Sequence, residues 1–250
     1  MLLAGGLARA AEPELAALTD DGALVVFRLH DTTSRRIVPT GVTGKLVGID
    51  VRPADGKLYG IAGSEVYTLD PASGTATLVS TLTVPFDGDT RSGVDFTPQL
   101  DRMRLTSADG RNLRVNVTLG ATAVDKPLAY AAGDANFGAR PRITASAYGN
   151  NHAGVATTTL FEIDSGLDVL VIQDPANDGV LKTVGPIGMD VPDEAGFDVE
   201  TDAQGRDTAW AAWGTTLYTI DLATGRATAL GPIPGATRGI VSLAVLPRPD

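Results

Sequence analysis

The sequence predicts an all-β fold, a five-bladed β-propeller of four-stranded blades, and three observations predict it. A hairpin opened by Asp and closed by Gly recurs along the chain. A block of the form Gly-x-Asp precedes most copies at a similar distance. One further unit is divided between the two ends. Self-similarity at a period of roughly 40–50 residues is the mark of propeller blades.

The hairpin is clearest in YTLDPASGTATLV around Asp70 and YTIDLATGRATAL around Asp221. Weaker copies are RVNVTLGATAV at Asn116, FEIDSGLDVLVI at Asp164 and FRLHDTTSRRIV at His30. Asp or Asn opens such a turn by accepting backbone N–H groups ahead of it, and Gly supplies the positive φ that closes it. Ser34 and Asp168 hold the Gly place in the two divergent copies.

The first-strand block reads GIDVRP from Gly48, GVDFTP from Gly93, ASAYGN from Ala145 and GFDVET from Gly196. Short apolar runs follow each block: KLYGI, RMRLT, GVATT and TAWAA. Each unit therefore reads strand, strand, strand, turn, strand. The fifth unit is split: SLAVLP at Ser242 matches a first strand with no hairpin after it. ELAAL, GALVVFRLH and SRRIVPTG supply three outer strands with no first strand before them. Joined, they predict a blade shared between the N- and C-termini that closes the ring and leaves no free sheet edge at the seam.

Composition narrows the function. A net charge of −10 with pI near 4.6 opposes a polyanion, and no basic stripe is present, so nucleic acid is not an expected partner. No run approaches the ~18 apolar residues a membrane span needs. The absence of Cys excludes disulfides, thiolate nucleophiles and lipoprotein-type lipidation. Residues 1–11, MLLAGGLARAA, read as the remnant of a signal peptide, with Ala8-Arg9-Ala10 as an A-x-A cleavage site and no basic n-region. The expectation is an exported protein, periplasmic or extracellular, with residues 12–250 forming one propeller domain. A tandem pair of sandwiches is disfavoured because no linker divides the chain and the period holds throughout.

Several stretches carry a family resemblance: LVGIDVRPADGKLYGI, GVDFTPQLDRMRLTSADGRNLRVN, AYGNNHAGVATTTLFEID, the run from Gln173 to Gly188, and GFDVE. With them the sequence resembles a bacterial exported domain-of-unknown-function family of DUF4394 type. The resemblance implies a propeller-like fold and export, and no chemistry.

Four groups of residues are candidates for function. Asp50, Asp95 and Asp198 occupy the third place of the first-strand block, and first strands line a propeller's axis. Three carboxylates there could hold Ca2+ or serve a hydrolase. As a repeated residue they equally suit hydrogen bonding between blades. Lys45, Arg91, Arg142 and Arg238 precede first strands and could ring one mouth that attracts a small anion. Asp87, Asp89, Asp134 and Asp193 lie close enough in sequence to pair with them. Long entry loops carry Phe86 and Phe137 as a possible aromatic contact surface. Asn150-Asn151-His152 combines a lone imidazole with amides, though it is ordinary turn chemistry too. Trp210 and Trp213, three apart on one strand, should face opposite sides, with one packing between blades.

No catalytic residue is singled out, since no G-x-S-x-G elbow, P-loop or H-E-x-x-H is present. The expectation is a binding or interaction module, without a required cofactor, for a small anion, a glycan or an envelope protein. A hydrolase with axial carboxylates or Ca2+, and a structural envelope protein, are the alternatives.

Overall fold

Short apolar runs cut by Gly and Asp turns cannot bury a face alone, and they solve this by stacking as five sheets. A computed structural model describes residues 12–248; the expected signal remnant at 1–11 lies outside the described residues. The first blade contains β4 (Gly48–Val51), β5 (Leu58–Ala62), β6 (Glu65–Leu69) and β7 (Ala76–Thr81) in that order from inside to outside. The second contains β8 (Ser92–Thr97), β9 (Arg102–Ser107), β10 (Asn112–Asn116) and β11 (Ala121–Val124). The third contains β13 (Ile143–Tyr148), β14 (Leu160–Asp164), β15 (Val169–Gln173) and β16 (Val180–Pro186), extended by β12 (Ala129–Tyr130) parallel to β16. The fourth contains β17 (Gly196–Thr201), β18 (Asp207–Trp213), β19 (Thr216–Ile220) and β20 (Ala227–Pro232).

The seam blade joins β21 (Ile240–Leu246) to β1 (Glu14–Thr19), β2 (Leu24–Arg28) and β3 (Arg35–Ile37). β21 and β1 pair antiparallel from Glu14 opposite Leu246 to Leu18 opposite Ser242. The two ends of the chain are thus held in one ladder. The inner strands neighbour one another in the order β4, β8, β13, β17, β21 and back to β4.

The turn chemistry works as the repeat predicts in the strong copies. Asp70 Oδ1 accepts the Ala72 amide at 2.8 Å, Asp221 Oδ1 accepts the Ala223 amide at 2.8 Å, and Gly74 and Gly225 take φ of 77° and 82°. Asp168 adopts φ 54° in the place of Gly, as Asp tolerates better than most residues. At the seam it is His30, not Ser34, that takes a positive φ, 69°.

Blade three departs from the predicted register. GVATT lies in the connection between β13 and β14, not in a strand. The Asp164 hairpin therefore joins the second and third strands, and the fourth strand is β16, reached through a short 3-10 turn at Ala176–Asp178. The physical reason is local: Asn150 and its neighbours form a turn that ends β13, and Gly149 and Thr158 hydrogen bond across a long loop.

Side chains from facing blades form the core. One cluster joins blades three and four through Phe161, Ile163, Phe197 and Trp213, and another joins the seam blade to the first through Leu18, Leu24, Ile49 and Leu58. Trp210 packs in the cluster between blade four and the seam, so both tryptophans pack between blades, on opposite faces of β18. Trp213 also stacks on Tyr218 at 3.8 Å.

Candidate functional site

The axis is built from equivalent places on the five inner strands. Glycine holds the first place in three blades because the next blade comes too close for a side chain. A Cβ on Gly48 would lie 2.2 Å from Val94 Cγ2, and one on Gly93 would lie 1.9 Å from Ser146 Oγ. At the seam this place is Ser242, whose hydroxyl donates to Ile49 O at 3.2 Å and accepts the Ile49 amide at 3.1 Å.

The third place is Asp50, Asp95, Ala147, Asp198 and Ala244 around the ring. Asp50 Oδ1 accepts the Val51 amide at 2.6 Å, and its Oδ2 accepts the Phe96 amide of the next blade at 2.7 Å. Asp198 repeats the arrangement with Val199 and, across to the seam blade, Val245, both at 2.6 Å. The blade-to-blade bonding expected of a repeated Asp is present at these two. Asp95 is different: the Phe96 and Tyr148 amides stand near its carboxyl, but both of its oxygens lack a hydrogen-bond partner.

The three carboxyls converge. One oxygen from each lies within 4.8 Å of the others, and all three residues are buried. Burial pushes Asp198 up to about 6 against the amides that hold it. Burial and then the Asp198 charge raise Asp50 well above the carboxylate range; burial, then Asp50 and Asp198, do the same to Asp95. No cationic side chain contributes to any of them.

Where the inner strands end, the axis opens into a pocket of about 740 Å3. Blades one, three, four and the seam contribute Val51, Asn151, Asp198, Glu200 and Arg248 among others. Asp198 belongs to both the trio and the pocket wall. Arg248 pairs with Glu200 and Arg206 with Asp202, each at 2.6 Å. Asn151 donates its amide to Thr201 Oγ1 at 2.7 Å while its side-chain Oδ1 is without a partner. His152 Nε2 lies 3.3 Å from the Asp202 carbonyl oxygen.

The opposite end, where the inner strands begin, holds the sequence-predicted cations. Arg91 pairs with Asp89 at 2.6 Å, Arg142 with Asp193, and Arg238 lies 3.7 Å from Asp21. Glu194 reaches across the mouth to Thr90. Lys45 is exposed. Asp87 takes Arg111 and Asp134 takes the Thr183 amide and hydroxyl, so those two acids are not the partners of the four cations. Phe137 is 65% exposed, whereas Phe86 is 0% exposed and packs in the core with Val94 and Phe96, so it offers no contact surface. Phe86 is buried because its loop turns inward under the blade instead of standing off it.

A second set of residues was not singled out from the sequence. The interface between blades two and three is polar: Thr106 Oγ1 and Ser146 Oγ lie 2.8 Å apart, and Ser146 Oγ donates to Glu162 Oε1 at 2.9 Å. Beside them Arg104, 2% exposed, donates to Asp125, Asn112 and Asn177 at 2.6, 2.7 and 2.9 Å. Burial raises Glu162 to about 7, although the Ser146 hydroxyl and the Arg104 charge oppose it. The signal was available in RMRLT and LFEID, where charged residues take alternate places of strands covered on both faces.

Among the described residues, no helix is long and apolar enough to cross a membrane. Among solved structures the chain is similar to a protein of unknown function from Bacteroides thetaiotaomicron, at 17% identity and a TM-score of 0.56, over 95% of this chain and 62% of that one. It therefore spans less than two thirds of that protein's length, and the likeness speaks to the fold alone. It also aligns with a protein of unknown function from Bacteroides caccae at 8% identity and a TM-score of 0.49, over 95% of this chain and 100% of that one. No curated protein matches it. A match over residues 9–244, nearly the whole propeller, places the chain in the family described as a domain of unknown function (DUF4394), to which it belongs.

Proposed function

We propose that this chain is an exported binding module that takes a small hydroxyl-rich ligand, such as a short glycan, in the pocket where the inner strands end. The observation that carries this is the pocket itself: about 740 Å3, walled by four blades, with the unpartnered Asn151 Oδ1 facing a ring of paired charges. That volume falls within the roughly 300–1,000 Å3 typical of small-molecule sites. The charges on its wall pair with one another, as Arg248 does with Glu200, so they offer donors and acceptors with little net field. Hydroxyl groups suit such a wall better than an anion does. The opposite mouth supports an anion less, since Arg91 and Arg142 are already paired with Asp89 and Asp193.

The hydrolase alternative needs a scissile bond within reach of two carboxyls. Asp50, Asp95 and Asp198 are 1%, 1% and 2% exposed, which leaves no room for a sugar among them.

The test is a thermal-shift and saturation-transfer NMR screen of oligosaccharides and small organic anions. A neutral oligosaccharide should raise the midpoint, and Arg248→Ala should abolish the response while Lys45→Ala leaves it intact. A response lost with Lys45→Ala or Arg238→Ala, and indifferent to Arg248→Ala, would place the ligand at the other mouth. No response to any member of the panel would favour a purely structural envelope protein.

A further inference from the structure

We propose that the axis holds one divalent cation of the Ca2+ class between Asp50, Asp95 and Asp198. The inference goes beyond the pocket ligand and does not depend on it.

Four observations carry it. The first is distance. One oxygen of each carboxyl lies within 4.8 Å of the other two. Ca2+ binds oxygen at about 2.3–2.6 Å, so two ligands on opposite sides of the ion stand about 4.8 Å apart. Mg2+, with bonds of about 2.0–2.1 Å, would require the three strands to close in. The donors are all hard oxygens, which excludes any preference for a soft metal.

The second is the state of Asp95. It is 1% exposed, and neither carboxyl oxygen has a hydrogen-bond partner. A buried polar group with no partner is costly, and a buried carboxylate more so. Its counterparts Asp50 and Asp198 each accept two backbone amides, so hydrogen bonding explains their burial. It does not explain Asp95. The third is charge. Three carboxyls converge in the interior and no Lys, Arg or His is paired with them. A cation supplies the opposite charge that the side chains of the axis do not.

The fourth is preorganisation and access. The amides of Val51, Phe96, Val199 and Val245 fix the rotamers of Asp50 and Asp198 from behind, as outer-shell groups do at metal sites. Each oxygen keeps a lone pair for an ion. Asp198 also lines the pocket where the inner strands end, which gives an ion a path from solvent and room for water to complete its coordination.

The experiment uses the full chain, stripped with EDTA, desalted and titrated with CaCl2 at pH 8 by calorimetry, with parallel thermal melts. The expected result is one ion per chain. At a hundredfold excess over Kd the midpoint should rise by roughly 5–10 °C. Asp95→Asn is the decisive variant, because it removes the unpartnered charge without breaking a hydrogen bond. It should fold, and its Ca2+ affinity should fall ~100-fold or more, since outer-shell changes alone cost ~10–100-fold. Asp95→Ser is the second variant should the amide pack poorly. Absence of heat and of any shift at millimolar Ca2+ would overturn the proposal. So would full affinity in both Asp95 variants, which would put the ion elsewhere, or Mg2+ binding as tightly as Ca2+, which would overturn the ion's class. A midpoint that rises as pH falls but ignores Ca2+ would show that protons alone neutralise the axis.

Discussion

Glu162→Gln should stabilise the protein at neutral pH, and the size of the effect follows from where Glu162 sits. Its side chain lies between blades two and three at 0% exposure. Oε1 accepts from Ser146 Oγ at 2.9 Å, and Oε2 has no partner. Burial dominates and raises its pKa from 4.5 to about 7; the Ser146 hydroxyl and Arg104 pull it down, and Asp164 pushes it further up. Arg104 cannot compensate fully because Asp125 holds it at 2.6 Å. Between pH 4.5 and 7 the native state keeps a proton that the unfolded chain has released. Stability is therefore fully present below 4.5 and is lost as pH rises through 7. At about 1.36 kcal/mol per pH unit the loss is about 3 kcal/mol, or roughly 6–12 °C in Tm for a chain of this size. Gln is isosteric, keeps the bond from Ser146 and does not titrate. The assay is circular-dichroism melting of both proteins from pH 4.5 to 8 in EDTA at constant ionic strength. The variant should match wild type at pH 4.5 and exceed it by about 3 kcal/mol at pH 8. A difference that stays constant across that range, or that grows in favour of wild type as pH rises, would refute the argument.

Two further outcomes follow from the axis and the seam. Asp50→Asn and Asp198→Asn each turn a donor toward a backbone amide that now meets an acceptor, and should cost about 1.5–3 kcal/mol in urea unfolding. Asp95→Asn, in the absence of divalent cations, should cost nothing measurable, because it breaks no bond; equal losses at all three would mean that the asymmetry is unimportant. Removing Ile240–Leu246 and the residues after it takes the inner strand from the seam blade and bares the edge of β1. That protein should aggregate on size-exclusion chromatography. A monomer with an unchanged melt would argue against a ladder between the chain's two ends.

The blades with strong turns were the legible ones. Asp70 and Asp221 open turns whose glycines need positive φ, and local chemistry alone marks such turns. Blade three misled because its turn at Asp164 looks like the others but sits one strand earlier, with a long loop in place of GVATT. Only tertiary pairing fixes which strands a hairpin joins. Convergence of the Asp trio was legible because equivalent places in a repeat must meet at the axis. The hydrogen-bonding difference between Asp95 and its two counterparts was not, because it depends on small differences in how neighbouring blades approach. The pocket where the inner strands end was also hidden. It is assembled from loops after β4, β13, β17 and β21 that share no sequence pattern. Phe86 shows the converse error: loop residues are not always surface residues, and its burial follows from an inward turn that no spacing reveals.

The five contacts between blades show why Asp95 stands apart. Blade one is fastened to two by Asp50 on the Phe96 amide, and blade four to the seam by Asp198 on the Val245 amide. The seam is fastened to blade one by the Ser242 hydroxyl on Ile49. Blades three and four meet through an apolar cluster around Phe197 and Trp213, and Ala147 leaves the third place there without a carboxyl. Blades two and three are joined by Thr106, Ser146 and Glu162, two positions away from Asp95 along the same pair of strands. Every contact thus has a fastener, and Asp95 closes none of them. A carboxyl that contributes no bond to the scaffold, yet is buried against two others, adds only charge. Retaining that charge in the interior destabilises the fold unless something of opposite sign meets it, and this is the physical case for a cation at the axis.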